Sequence, residues 1–188
     1  MLKSWFLPFF SFSLSMLLMP LAIRLANRFG LLDCPDGRRK LQKRPIPVVG
    51  GLNLFVVLLL TSLVVVLMGV DSLEINFPVQ HIAGLLLAGS LLCFAGMLDD
   101  RFGIRGRHKL LCQVLACGIV AYRVVRVRHI SFLGFEEDFG TLFSYPVTVM
   151  ILLGSINAFN LLDGMDGLVG LVSLLAAGSF AIMASLSG

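Results

Sequence analysis

The chain alternates long apolar runs with short polar connections. Nearly unbroken apolar stretches cover 5–25, 48–70, 82–98, 110–127, 142–159 and 168–186. Each approaches the roughly 20 residues a helix needs to cross the hydrocarbon of a bilayer. Helix is the expected form, because a segment in lipid must satisfy its own backbone hydrogen bonds. No run shows the period-2 alternation of a membrane barrel. The pattern predicts an all-α integral membrane protein with about six transmembrane helices. The connection over 128–141 is of a different kind. Aromatic and β-branched residues flank an acidic, glycine-bounded centre, which predicts a small external β-hairpin.

The first run could be mistaken for a secretory signal, since it follows Lys3. It exceeds the about 7–15 apolar residues of a signal peptide and ends at Arg24 and Arg28 without a small-residue cleavage site. It reads as a retained span. Composition supports the membrane assignment: 57% of the 188 residues are apolar and 14% charged, where a soluble domain holds about half and a quarter.

Charge placement then suggests an orientation. The connection after the first run holds Arg28, Arg38, Arg39, Lys40, Lys43 and Arg44. The one after the third holds Arg101, Arg105, Arg107 and Lys109. The one after the second holds Asp71 and Glu74 and no Lys or Arg. If all six runs span, both basic connections share one side. The positive-inside bias makes that side cytoplasmic and puts the N-terminus outside. Arg123, Arg126 and Arg128 run against this, at the outer end of the fourth run, from where they can snorkel to the interface. The net charge of +4 is then a matter of topology and contact with anionic membrane lipids, not of nucleic acid. Cys34, Cys93, Cys112 and Cys117 have no metal-binding spacing and read as small fillers. There is no repeat and no soluble domain. Residues 1–188 are expected to form a single polytopic membrane domain.

Three polar clusters stand out on the predicted cytoplasmic side. The first is the loop Asp33-Cys-Pro-Asp-Gly-Arg-Arg-Lys-Leu-Gln-Lys-Arg-Pro-Ile-Pro-Val-Val-Gly-Gly51. Its turn residues exclude a helix. Gly50 and Gly51 would allow a close backbone approach. Its Arg and Lys suit phosphate, although charge alone favours a simple topological anchor. The second is Gly96-Met-Leu-Asp-Asp-Arg101, continuing to Lys109 and Gln113. Two carboxylates end an apolar run, where ionisable groups are costly and usually functional. They suit Mg²⁺, a hard ion that accepts carboxylate oxygens and keeps places open for phosphates. A helix-end pair neutralised by Arg101 is the competing reading. It must explain acids at the negative end of a helix dipole.

The third cluster is Asn157-Ala-Phe-Asn-Leu-Leu-Asp-Gly-Met-Asp-Gly-Leu-Val-Gly170. Asn157, Asn160, Asp163 and Asp166 recur every third residue, with Gly164, Gly167 and Gly170 one step later. Such spacing keeps successive side chains neighbouring on a helix. The polar stripe can face a pocket while the glycines admit a neighbouring helix or ligand. A break is expected near Gly164. Two amides and two carboxylates at a membrane face fit a polar helix contact poorly. Acidic ligands, amides and cations beside lipid suit a reaction joining a nucleotide-linked substrate to a lipid phosphate.

These motifs, in this order and spacing, resemble the polyprenyl-phosphate N-acetylhexosamine-1-phosphate transferases, which include the phospho-N-acetylmuramoyl-pentapeptide transferases. The Pro-Ile-Pro-Val-Val-Gly-Gly version is more similar to the sugar-1-phosphate branch. The resemblance implies transfer of N-acetylhexosamine-1-phosphate from a UDP-N-acetylhexosamine to polyprenyl (undecaprenyl) phosphate. UMP is released and a cell-surface polysaccharide is begun. It implies a multi-pass protein of the cell (inner) membrane with a cytoplasmic site, a Mg²⁺ cofactor with Mn²⁺ as substitute, and a homodimer as a further expectation. Carried over residue by residue, Asp99 is the base or lipid-phosphate positioning group. Asp100 is a metal-site acid, joined by Asp99 and Asp163 as metal ligands. Asp163 and Asp166 are catalytic acids of the pocket that Asn157 and Asn160 line. Lys109, Arg39, Lys40 and Lys43 contact phosphates.

Two departures qualify the resemblance. Gln42 stands where the family usually has His, and Gln cannot titrate. The family also continues through further spans bearing a Gly-Asp-x-Gly-Ser metal site and a His-rich loop. The chain is therefore expected to be the N-terminal part of a longer transferase, inactive by itself. The alternative is a non-catalytic membrane protein, an ion carrier or a degenerate paralogue. A carrier should place its acids near mid-membrane, whereas these lie at run ends.

Overall fold

The computed structural model describes residues 2–33, 45–69, 78–132, 135–163 and 167–187. Six helices appear where the six apolar runs predict them. They are α1 (Leu2–Phe29), α2 (Gly50–Met68), α3 (Val79–Phe102), α4 (Gly106–Arg123), α5 (Thr141–Leu162) and α6 (Leu168–Ser187). Five of them (α1, α2, α3, α5 and α6) are long and apolar enough to cross a membrane. With that pattern the chain is a multi-pass, all-α membrane protein.

Helix α4 is the exception and begins earlier than its apolar run predicts. Its uncharged stretch between Lys109 and Arg123 covers about 20 Å at 1.5 Å per residue, against roughly 30 Å of hydrocarbon. It is placed between α3 and α5 and buries Gln113, Ala116, Cys117 and Ala121. Small residues on the buried face let its neighbours come close, while Leu111, Leu115 and Tyr122 on the other face are exposed. Its end cations can reach the interface along their aliphatic stems.

Consecutive helices pack against one another, α1 on α2, α2 on α3, α3 on α4 and α4 on α5. The chain therefore runs up and down, and every second connection falls at the same end. At the first end, β1 (Leu32–Asp33) pairs antiparallel with β2 (Ile46–Pro47). Val48 N–H also donates to the Leu31 carbonyl at 3.1 Å. This short stem closes the base of the basic loop. At the opposite end, β3 (His129–Phe132) pairs antiparallel with β4 (Phe135–Asp138), His129 opposite Asp138. The hairpin expected over 128–141 is present.

Large apolar side chains such as Leu54, Leu67, Leu142 and Leu161 are exposed. Outward-facing leucines are what a lipid-facing surface requires. Interior contacts rest on small or polar groups: Ala88, Ala95 and Ala116, and the Asn53 amide donating to Ser15 Oγ at 3.1 Å. Close small-residue packing and interhelical hydrogen bonds are the forces available between helices in lipid. Cys93, Cys112 and Cys117 are free thiols among the described residues.

Candidate functional site

The site grows from the way α3 ends. Asp99 and Asp100 lie in its last turn, and Gly103 caps it in the left-handed conformation at φ 61°, with its N–H donating to the Asp99 carbonyl. Glycine adopts this conformation without steric cost, which makes it the usual residue just past a helix end. The cap turns the chain straight into α4, so Lys109 in the first turns of α4 comes back over α3. Lys109 Nζ donates to Asp99 Oδ2 at 2.8 Å, with the two side chains 35% and 26% exposed. A half-buried, charge-assisted bond of this length fixes both groups.

The same two helix ends meet the α5–α6 junction. A cavity of about 400 Å³ is lined by Asp99, Asp100, Lys109, Gln113, Asn160 and Asp163, among others, with Leu92, Phe159 and Val169 on its apolar wall. The second and third sequence clusters thus share one chamber. Helix α5 stops at Leu162, Asp163 follows it, and Gly167 at φ 75° precedes α6. Residues 164–166, where the break near Gly164 is expected, lie outside the described residues. Asp163 N–H still donates to the Phe159 carbonyl at 3.1 Å, and Asp163 lines the chamber from the end of the helix.

A second cavity, of about 320 Å³, lies on the other side of the α3 terminus. Leu31, Leu32, Val48, Val49, Leu52 and Met97 line it together with Asp100 and Arg101. Its wall includes the stem of the basic loop. Asp100 lines both chambers, the first with Asp99, Lys109 and Asp163 and the second with Arg101, Leu31, Val48 and Met97.

Two expected placements differ. Asn157 is turned away from the chamber. Its amide donates to the Leu153 carbonyl at 2.8 Å and reaches Gln113 Oε1 at 3.5 Å. The three-residue spacing rotates around the helix by about 60° per step relative to a full turn, so the stripe drifts and Asn157 ends up behind Asn160. It holds Gln113, a buried residue that lines the chamber. Gln113 was legible only through its spacing, one helical turn after Lys109 on the same face. The glycines also serve other purposes than close packing. A side chain added at Gly50, Gly51 or Gly170 would meet open space, and Gly167 is needed for its positive φ. Arg39, Lys40, Gln42, Lys43 and Asp166 lie outside the described residues.

Asp99, Asp100 and Asp163 present hard oxygen donors to one chamber, which is the chemistry Mg²⁺ prefers. The ion commonly takes only one or two carboxylates and fills its shell with phosphate and water. Among the described residues no three acidic, His or Cys groups converge as a closed metal set. The donors fit an ion completed by substrate phosphate better than a resident, fully caged one.

The family assignment follows from comparison with known proteins. The profile described as glycosyl transferase family 4 matches residues 82–188, more than half of the chain. The chain belongs to glycosyl transferase family 4. The matched region contains the α3 terminus, α4 and the α5–α6 junction, which are the walls of the polar chamber. The chain is 33% identical over 180 residues to the undecaprenyl-phosphate alpha-N-acetylglucosaminyl 1-phosphate transferase of Yersinia pestis, covering 94% of this chain and 46% of that protein. It is 32% identical over 148 residues to the protein of the same name from Escherichia coli K12, covering 76% and 36%. It is 28% identical over 175 residues to the probable undecaprenyl-phosphate N-acetylglucosaminyl 1-phosphate transferase of Bacillus subtilis, covering 92% and 46%. The chain spans about half the length, or less, of these curated relatives. No solved structure matches it significantly.

Proposed function

We propose that the protein contributes the phosphate-handling chamber of an enzyme that moves N-acetylhexosamine-1-phosphate from a UDP-sugar to polyprenyl phosphate. The carrying observation is that Asp100 stands between two chambers, one shared with Asp99, Lys109 and Asp163 and the other walled by Leu31, Val48, Leu52 and Met97. A reaction between a soluble nucleotide sugar and a lipid phosphate needs such a junction. The pyrophosphate of the donor enters the chamber of Asp99, Lys109 and Asp163, and the acceptor phosphate arrives through the one walled by Leu31, Val48, Leu52 and Met97.

An oxygen of the acceptor phosphate attacks the phosphorus that carries the sugar. The new P–O–P bond forms as the bond to the bridging oxygen of UMP breaks, and UMP leaves with that electron pair. Asp100, between the chambers, positions the attacking oxygen and takes its proton when the acceptor arrives as the monoanion. Lys109 is already held at the chamber by Asp99 and stabilises charge growing on the departing phosphate. Gln113 and Asn160 offer amides to the donor, and Asn157 keeps Gln113 in place. Magnesium, where bound, would be held by Asp100 and Asp163 with phosphate oxygens and would neutralise charge there.

The basic connections support a cytoplasmic face for the chamber, where nucleotide sugars are available, and the membrane would be the inner one. The alternative, a membrane protein without catalysis, lacks a use for opposed carboxylates and a cation in one half-buried chamber. The test is release of UMP by the complete protein supplied with polyprenyl phosphate and a panel of UDP-sugars, with and without a metal chelator. Release with at least one UDP-N-acetylhexosamine, lost on chelation, is expected. No release with any member of the panel would refute the reading.

A further inference from the structure

Three arginines at the other end of the bundle take no part in this chemistry. Membrane proteins concentrate Lys and Arg at one side, and the carboxylate end already holds the longer basic connections. Arg123, Arg126 and Arg128 nonetheless occur within six positions at the opposite end. Together with His81 of α3 they line a cavity of about 350 Å³. No carboxylate lines it among the described residues.

This cup is fixed by its backbone. Val127, between Arg126 and Arg128, has both main-chain polar groups held by α5. Ser144 Oγ donates to its carbonyl at 2.6 Å, and its N–H donates to Thr148 Oγ1 at 2.9 Å. Ser144 and Thr148 are 0% and 1% exposed. On the α3 side, Gly84 lies so close that an added Cβ would stand 2.8 Å from Arg123 Cβ. Only glycine allows α3 to press this tightly on the end of α4. The Arg123 guanidinium lies over the Tyr122 ring, 5.5 Å from its centre. Like charges are thus gathered by packing and by two buried hydroxyls, at an electrostatic cost that an anion would offset.

Tyr122 also belongs to the next cavity. An apolar groove of about 610 Å³ runs down the α4–α5 face, lined by Val114, Leu115, Gly118, Ile119, Pro146 and Val149 and also bounded by Tyr122. From Tyr122 to Val114 it extends about 12 Å along α4, into the depth of the bilayer. Pro146 lacks an N–H and interrupts the α5 ladder there.

We infer that the arginine cup and this groove form one binding site for an anionic phospholipid, with the headgroup phosphate in the cup and an acyl chain in the groove. The site is separate from the acceptor lipid's, because it opens at the membrane end away from the carboxylates. The inference therefore does not depend on the transferase reading. Charge complementarity selects the headgroup, and the continuous groove selects a lipid over a soluble phosphate.

Native mass spectrometry of the full-length protein tests it, after delipidation and supply of equimolar phosphatidylglycerol and phosphatidylcholine. Phosphatidylglycerol should be retained over phosphatidylcholine by at least about fivefold, the factor one basic residue near an anionic lipid supplies. The triple variant Arg123→Ala, Arg126→Ala, Arg128→Ala should lose that preference. Equal retention in the parent protein, or a preference that survives the triple variant, overturns the proposal. Equal retention is the outcome if Glu136 and Glu137 neutralise the arginines. Leu115→Trp keeps the arginines and fills the groove, so it tests the site even if the triple variant does not fold. It should lower phosphatidylglycerol retention by a similar factor, and unchanged retention would remove the acyl chain from the groove. Excess inorganic phosphate should leave the lipid bound. Its displacement would reassign the cup to a soluble anion.

Discussion

The two ends of the helix bundle both gather charge, but in opposite ways. At one end, carboxylates, an ammonium and amides face one another across a chamber shared by α3, α4, α5 and α6, and Lys109 bonds Asp99 at 2.8 Å. At the other end, Arg123, Arg126 and Arg128 converge on one cup with His81. Mixed signs make a site where charge can move between phosphates during a reaction. A single sign makes a site that selects a ligand of the opposite sign and holds it. The supports differ too. The mixed site is fixed by side chains that neutralise one another. The cationic cup is fixed by hydroxyls that bond the main chain of Val127.

This contrast can be broken at either end. Apart from the carboxylates, the largest effect is expected at Lys109. Lys109→Met in the complete protein removes the chamber's described ammonium and leaves Asp99 without its ion pair. UMP release should fall roughly a hundredfold, as when one donor to a developing anion is deleted. An unchanged rate would make the ion pair merely structural. Gln113→Leu keeps the volume but removes the amide between Asn157 and the chamber. UMP release should drop about tenfold, the worth of one net hydrogen bond, with the drop appearing mainly in KM for the nucleotide sugar. A change confined to thermal stability would place Gln113 outside the donor site.

The arginine end should respond in stability. Ser144→Ala or Thr148→Val leaves one main-chain group of Val127 without its partner, at a cost of about 1–3 kcal/mol. Thermal unfolding in detergent measures the loss. No change in either variant would show that the strap is held by other means. The smallest effect is expected at Gly103→Ala. An added methyl there meets open space, so only the left-handed backbone is penalised, by about 1 kcal/mol. Unfolding of this variant alongside the parent checks it.

Much of the architecture was legible in the sequence because it depends on run length. Six apolar runs became six helices, and the glycine-bounded acidic segment became the β3–β4 hairpin. Helix α4 was less legible: its start is set by the Gly103 cap and by packing between α3 and α5, and an apolar run records neither. At the site, Asp99, Asp100, Lys109, Asn160 and Asp163 were predicted together and are found around one chamber. Asn157 belonged to the same stripe yet faces Gln113, because a three-residue spacing does not stay on one face of a 3.6-residue helix. The Ser144–Val127–Thr148 clasp was not readable at all. A hydroxyl in an apolar run is unremarkable until its partner strand is in place.

Phosphoryl transfer at the carboxylate end, as proposed, stands or falls on the charge of Asp99 and Asp100. UMP release is followed in the complete protein with polyprenyl phosphate and the preferred UDP-sugar, comparing the parent with Asp99→Asn and Asp100→Asn. Each substitution keeps size and hydrogen bonding while removing the negative charge. UMP release should be almost completely lost in both variants, with folded protein retained. Near-normal turnover by both would contradict it.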